Sequence, residues 1–215
     1  MTWNRLAGVG GLCFAVSALC LSPGSARADV PDGDASRLTA AGHSLEWNWT
    51  PPGRADRYGH AETLIHAPIA AVRGHVLDYG RYREMMPDNF KMSRVVGHEA
   101  DGSADVYLQI AVLHGMIKLW DVTRFGPVQQ SSPSVEVVEG HMVPGKGNIE
   151  GLNVVWTIRA LDETWTVLKC DLLLKPGLPA PRSAVDEELR DSARYAVDAI
   201  HDQAQGSTRF LPWPG

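Results

Sequence analysis

Acid–base catalysis requires titratable side chains that converge on one reacting group. In this 215-residue chain the candidates are the polar residues that interrupt apolar strands: His114, Asp121, Arg124, Glu150 and Asn153. Two of them meeting His114 in a pocket would make proton transfer available; a set facing solvent would not. Asp121 and Arg124 are expected as a strand-face ion pair, which is commoner than a catalytic pair. Cys170 shows no activating partner and reads as an inert buried thiol. The histidines make no ligand pattern: His60, His66 and His75 are spaced by six and nine residues, and no His-x-His or His-x-x-x-His pair falls on an expected element. No catalytic residue, metal or other cofactor is therefore assigned.

Apolar recognition has more to draw on. Alternation along expected strands puts Leu152, Val154, Trp156 and Ile158 on one face and Leu168, Cys170, Leu172 and Leu174 on one face of the next strand, with Val106, Leu108, Ile110 and Val112 as a third such set. Trp120 and Trp156 are large, and each carries an indole N–H that wants a partner when buried. Met85 and Met86 suit a pliable rim, and Tyr195 flanks the apolar stripe of the last helix. These side chains could line a cavity or simply fill a core.

The elements that would hold them follow from the pattern. His43 to Thr50 alternates Leu45, Trp47 and Trp49 with polar neighbours, Pro51-Pro52-Gly53 breaks the chain, and Tyr58 to His66 resumes as a strand, so a hairpin is expected. Pro68 is placed as a first helical residue, with Ile69, Val72, Val76 and Leu77 at helical spacing. Asp78 is expected to cap a second short helix through its carboxylate. Strands follow at Asp105 to Leu113, Met116 to Phe125, Ser134 to Glu139, Leu152 to Ala160 and Thr164 to Lys175, with Gly140 to Gly151 read as a turn region. After a Pro-rich corner at Pro176, Pro179 and Pro181, Ser183 to Gln205 has a helical period, with Ser183 as N-cap.

Residues 1–28 read as a signal peptide: Arg5 in the n-region, an apolar run from Leu6 to Leu21, and Ala26-Arg27-Ala28 as a small-x-small site before Asp29. An uncleaved anchor is the weaker alternative, since Gly8, Gly10, Gly11 and Pro23 interrupt the run, and a lipoprotein modified at Cys20 is weaker still, since Leu19 stands where a small residue is wanted. Residues 29–42 read as a flexible lead-in, 43–205 as one domain and 206–215 as a tail that is docked or sticky. A periplasmic or secreted location follows. Export also removes Cys13 and Cys20, so Cys170 has no disulfide partner and stability must come from packing. The formal net charge is −5, and loss of Arg5 and Arg27 takes it to −7, which leaves no basic face for nucleic acid. Trp47, Trp49 and Trp213 are candidates for transient contact with a partner or a membrane surface.

The order strand, two short helices, antiparallel strands, long C-terminal helix resembles the START-like helix-grip superfamily, also described as polyketide cyclase or coenzyme Q-binding-like. Ile65 to Val72, then Leu77-Asp78-Tyr79-Gly80-Arg81-Tyr82 and Met86-Pro87, look like that superfamily's entry, and Ile149 to Ile158 leading through Thr164 to Pro176 resembles its last two strands. The resemblance covers about Arg57 to Gln205 and is a pattern of residue types rather than a catalytic signature. It implies an α+β fold, a curved antiparallel sheet gripping the long helix, with an apolar cavity between them. The expected ligand is a lipid, quinone, sterol-like or polyketide-derived molecule, bound and carried or sequestered. A cyclase or aromatase acting in the same cavity is the alternative. The cavity lining expected on this basis is Leu108, Ile110, Trp120, Leu152, Val154, Trp156, Leu172, Leu174, Met85, Met86 and Tyr195.

Overall fold

A computed structural model describes residues 33–112, 117–212 and 214. The signal peptide, its cleavage site, His114 and Trp213 lie outside the described residues. Among the described residues, nine strands form one antiparallel sheet: β1 (Leu45–Trp49), β2 (Tyr58–Ile65), β3 (Phe90–His98), β4 (Ala104–Val112), β5 (Ile117–Phe125), β6 (Gln129–Ser132), β7 (Val135–Gly147), β8 (Gly151–Ala160) and β9 (Thr166–Lys175). Their spatial order is β1-β2-β9-β8-β7-β5-β4-β3, with β6 beside β7. Helix α1 (Gly33–Ala41) precedes the sheet, and α2 (Ile69–Val76), a 3-10 turn at Tyr79–Arg81 and α3 (Tyr82–Met85) sit between β2 and β3. Helix α4 (Arg182–Gln205) lies in the curve of the sheet against β2, β9 and β1. This is the helix-grip arrangement, and the expected hairpin is the β1–β2 pair, Leu45 opposite Glu62 and Trp49 opposite Tyr58.

The core forms where the period-2 faces of the strands meet the stripe of α4. Leu189, Ala193, Ala196, Val197 and Ile200 are buried on the helix, facing Ala61, Ile65, Val154, Trp156, Ile158, Leu168 and Cys170 from the sheet. Gly59 sets how closely the two layers approach. A Cβ there would stand 2.2 Å from the backbone carbonyl carbon and oxygen of Leu189. Gly140 in β7 does the same for a side chain, since a Cβ would lie 2.7 Å from the ring of Phe125, which crosses that strand.

All eight residues of β2 are buried, including His60 and Glu62, because its second face is covered too. The covering element is α1, which lies where a flexible lead-in is expected. Ala35 and Leu38 of α1 are fully buried, and Leu38 packs with Leu64, Trp165 and Val167. Ion pairs hold the helix down: Arg37 to Glu62, and Asp34 to Lys169 at 2.6 Å and to Arg159 at 3.2 Å. His60 Nδ1 meets Asp171 Oδ1 at 2.7 Å, and the Trp49 indole N–H donates to the same oxygen at 2.6 Å. The Trp47 ring stacks on His60 with centroids 4.1 Å apart. The two tryptophans considered for surface contact thus also have places in this network.

Burial opposes a charge on His60, but the carboxylates of Asp171 and Glu62 outweigh it and hold its pKa above the ordinary 6.5. The stability this contributes is complete below pH 6.5 and is lost as pH rises through the folded-state pKa. The wild type should therefore lose stability above pH 6.5, and His60→Asn should be flatter over that window. Urea midpoints taken across it test this; parallel profiles would remove His60 as the cause.

Other local expectations change. Asp78 precedes the 3-10 turn but makes no side-chain cap; its carboxylate approaches Arg81 at 3.4 Å instead. Pro181 rather than Ser183 stands at the N-cap of α4, and Pro68 precedes α2 rather than beginning it. The turn region begins later than Gly140, because β7 continues to Gly147 with an irregularity opposite β5 between Asp121 and Thr123. The tail is docked: Phe210 stacks on His201 at 4.9 Å, and Phe210 and Leu211 pack on the α1 cluster.

Candidate functional site

Between the sheet and the N-terminal half of α4 lies an apolar cavity of about 150 Å³. Its sheet wall is Leu108 and Ile110 from β4, Leu119 and Phe125 from β5, Leu152, Val154 and Trp156 from β8, and Cys170, Leu172 and Leu174 from β9. The helix contributes Ala184, Val185, Glu188, Leu189, Ser192 and Ala196. The space follows from the small side chains Ala184, Ser192 and Ala196, whereas Val197 and Ile200 fill the layer further along.

The remaining walls come from the stretch running from α3 into β3 and from the corner before α4. Tyr82, Met86, Asn89 and Phe90 close one side, and the Asn89 amide donates to the Ser192 carbonyl at 3.1 Å, tying that side to α4. Tyr79 stacks on Phe125 at 4.3 Å, and Tyr82 packs edge-on to both rings. The Pro-rich corner (Pro176, Leu178, Pro179, Ala180) forms the other side. Leu178 borders the cavity and is still 47% exposed, so the wall meets solvent there.

Polar groups on the wall are few. The Tyr82 hydroxyl donates to the Val76 carbonyl at 2.6 Å. Burial drives its pKa well up, reinforced by Tyr79, while the nearby Trp156 N–H pulls the other way. Burial likewise raises the Cys170 thiol, which stays protonated.

Of the residues expected to line a cavity, Leu108, Ile110, Leu152, Val154, Trp156, Leu172, Leu174 and Met86 stand in this wall. Three do not. Trp120 faces the opposite side of the sheet, 37% exposed and stacked on Tyr107 at 5.9 Å, because Leu119 takes the inward position. Met85 is buried in the core behind the cavity rather than on its rim. Tyr195 is turned outward at 44% exposure under the Arg194 guanidinium, off the stripe formed by Leu189, Ala193, Ala196 and Ile200.

The polar candidates are not brought together among the described residues. Asp121 and Arg124 do not pair, since residues three apart in a strand point to opposite faces. Arg124 reaches Asp105 at 2.6 Å and Glu99 at 2.8 Å on the outer face. Asp121 is fully buried inward beside Leu108, outside the cavity wall. Glu150 is exposed near the corner, and Asn153 lies on the β8 face opposite Leu152 and Val154.

Met86 is expected in this wall from the sequence, but Tyr82, Asn89, Phe90, the Pro-rich corner, Leu119 and Phe125 are not. Their signal is weak, because loop residues have no periodicity and Phe125 enters the wall only through the space above Gly140.

Solved structures of the same architecture exist. A STAR-related lipid transfer protein from Xanthomonas axonopodis aligns over 74% of this chain and 92% of its own, with TM-score 0.62 and 17% identity. The chain has the START-like helix-grip fold. Human StAR-related lipid transfer protein 5 aligns over 76% of this chain and 83% of its own, with TM-score 0.63 and 12% identity. The Zhui aromatase/cyclase from Streptomyces sp. R1128 aligns over 71% of this chain and 93% of its own, with TM-score 0.51 and 16% identity. No protein-family model and no curated protein matches the sequence.

Proposed function

We propose that this START-like chain binds a compact apolar small molecule between its sheet and α4 and carries or sequesters it outside the cytoplasm. The observation that carries the reading is the cavity itself, walled by aliphatic and aromatic side chains from four strands and closed by a helix that presents the small residues Ala184, Ser192 and Ala196 beside Val185, Glu188 and Leu189. The names of the lipid transfer proteins that share the fold are consistent with it. An apolar cavity of about 150 Å³ stays dry and admits a molecule the size of benzene, whereas ligand sites for larger molecules run from about 300 Å³ upward. A lipid, quinone or sterol-like molecule therefore requires the wall to open, and the corner at Pro176 to Ala180 is where it meets solvent.

Binding is driven by burial of apolar area, about 25 cal/mol per Å² removed from water. Calorimetric titration of folded, delipidated protein with toluene should give saturable uptake of one molecule per chain. Val154→Trp, which fills the space from its wall, should abolish uptake while leaving a cooperative unfolding transition. No saturable uptake by the wild type, or equal uptake by the filled variant, would overturn the reading. Mass spectrometry of the protein recovered from its native host tests the rest, with an N-terminus at Asp29 and a co-purifying apolar molecule as the expected result.

A further inference from the structure

The cavity wall contains a buried donor, the Trp156 indole N–H, with no hydrogen-bond partner in the protein. Trp156 is 2% exposed, and its indole Nε1 is buried with no hydrogen-bond partner. Of the other polar groups on the wall, the Tyr82 O–H meets the Val76 carbonyl and the Asn89 amide meets the Ser192 carbonyl, while the Ser192 hydroxyl and the Glu188 carboxylate border the space from α4. The cross-strand neighbours of Trp156 are Val138 on β7 and Cys170 on β9, an alkyl group and a protonated thiol, and neither is a good acceptor. The indole N–H does act on the Tyr82 oxygen, lowering its pKa as a donor would, but the pair falls outside the distance and angle of a formed hydrogen bond.

Buried donors are rarely left unmet in folded proteins, and each one without a partner calls for an explanation. An indole N–H donates only, so what completes it is an acceptor. The surrounding wall is aliphatic and aromatic, which selects a hydrophobic molecule around that acceptor. We propose that the ligand carries a hydrogen-bond acceptor oxygen, of the carbonyl type, that receives the Trp156 N–H inside an otherwise apolar envelope. This rests on the ligand-binding reading and narrows it to hydrophobic carbonyl compounds over hydrocarbons and cations.

The test compares acetophenone with ethylbenzene, two molecules of similar shape that differ in the carbonyl. Calorimetric titrations of wild type and Trp156→Phe give four dissociation constants, and the coupling between substitution and ligand cancels the different hydration of the two compounds. The substitution should weaken acetophenone by roughly tenfold more than ethylbenzene, the size of one good neutral hydrogen bond. Equal weakening of both overturns the Trp156 assignment and leaves the cavity reading intact. Failure of both compounds to bind the wild type overturns both. The infrared carbonyl band of acetophenone bound to wild type provides a readout that needs no variant: a shift to lower frequency than in cyclohexane is expected, and an unshifted band sinks the assignment.

Discussion

Gly59→Ala should destabilise the fold by more than about 3 kcal/mol, above the usual range for an overfilled core. Most added methyl groups meet side chains, which yield by changing rotamer. Here the new Cβ would stand 2.2 Å from the carbonyl carbon and oxygen of Leu189 and 2.5 Å from the Arg190 nitrogen, all backbone atoms of α4. Relief requires the helix to move away from β2, its most extensive partner, and Leu189 also borders the cavity. The substitution should therefore lower the urea midpoint and also change toluene affinity in whatever fraction remains folded. Thermal and urea unfolding of Gly59→Ala beside Gly74→Ala, an open helical position where no atom lies within 4 Å, separates the clash from a general effect of removing glycine. A difference between the two variants under about 1 kcal/mol would mean that α4 is not held where β2 places it.

Where the sequence was informative, its alternation was unambiguous. On β8, Leu152, Val154, Trp156 and Ile158 are separated by residues of which Asn153 and Thr157 are polar, so the inward face could be read directly. On β5, Leu119 and Trp120 are adjacent and both apolar, and parity comes only from pairing with β4, where Ile110 opposes Leu119. Local pattern cannot supply that register, and Trp120 was expected on the wrong side. Helix α1 failed for a related reason. Its nine residues hold few apolar groups, and its anchors are Glu62, Arg159 and Lys169, which are distant in sequence. The stretch from Gly140 to Gly151 reads as a turn region, yet the chain keeps pairing through Gly140 and takes Pro144 and Gly145 into the irregular part of β7. The cavity was legible as a set of strand faces, while its volume depends on which small residues α4 presents. The fold, in short range, is written in periodicity; the site is written in what periodicity leaves open.

Asp121→Asn should stabilise the protein above pH 6 by up to about 3 kcal/mol and have little effect near pH 3. Asp121 is fully buried on β5 between Leu108 of β4 and Gly147 of β7. One carboxylate oxygen accepts from the Thr123 hydroxyl at 2.6 Å, and the other has no partner. Burial pushes its pKa from 3.8 to about 6, with the Thr123 hydrogen bond opposing. Between those values the folded state holds a proton that the unfolded state has released, so stability falls as pH rises through that window. Two pH units at 1.36 kcal/mol each give the ceiling of about 3 kcal/mol. Asparagine keeps the shape and removes the titration, so its advantage should appear between pH 4 and 6 and level off above. Urea unfolding of both proteins from pH 3 to 8 measures it, and parallel curves would show that Asp121 ionises as freely in the folded chain as in the unfolded one. Leu108 and Leu119 beside it belong to the cavity wall, so ionisation of Asp121 is expected to disturb the layer that holds the ligand. Toluene should accordingly bind the wild type more tightly at pH 5 than at pH 8, with the difference absent in Asp121→Asn.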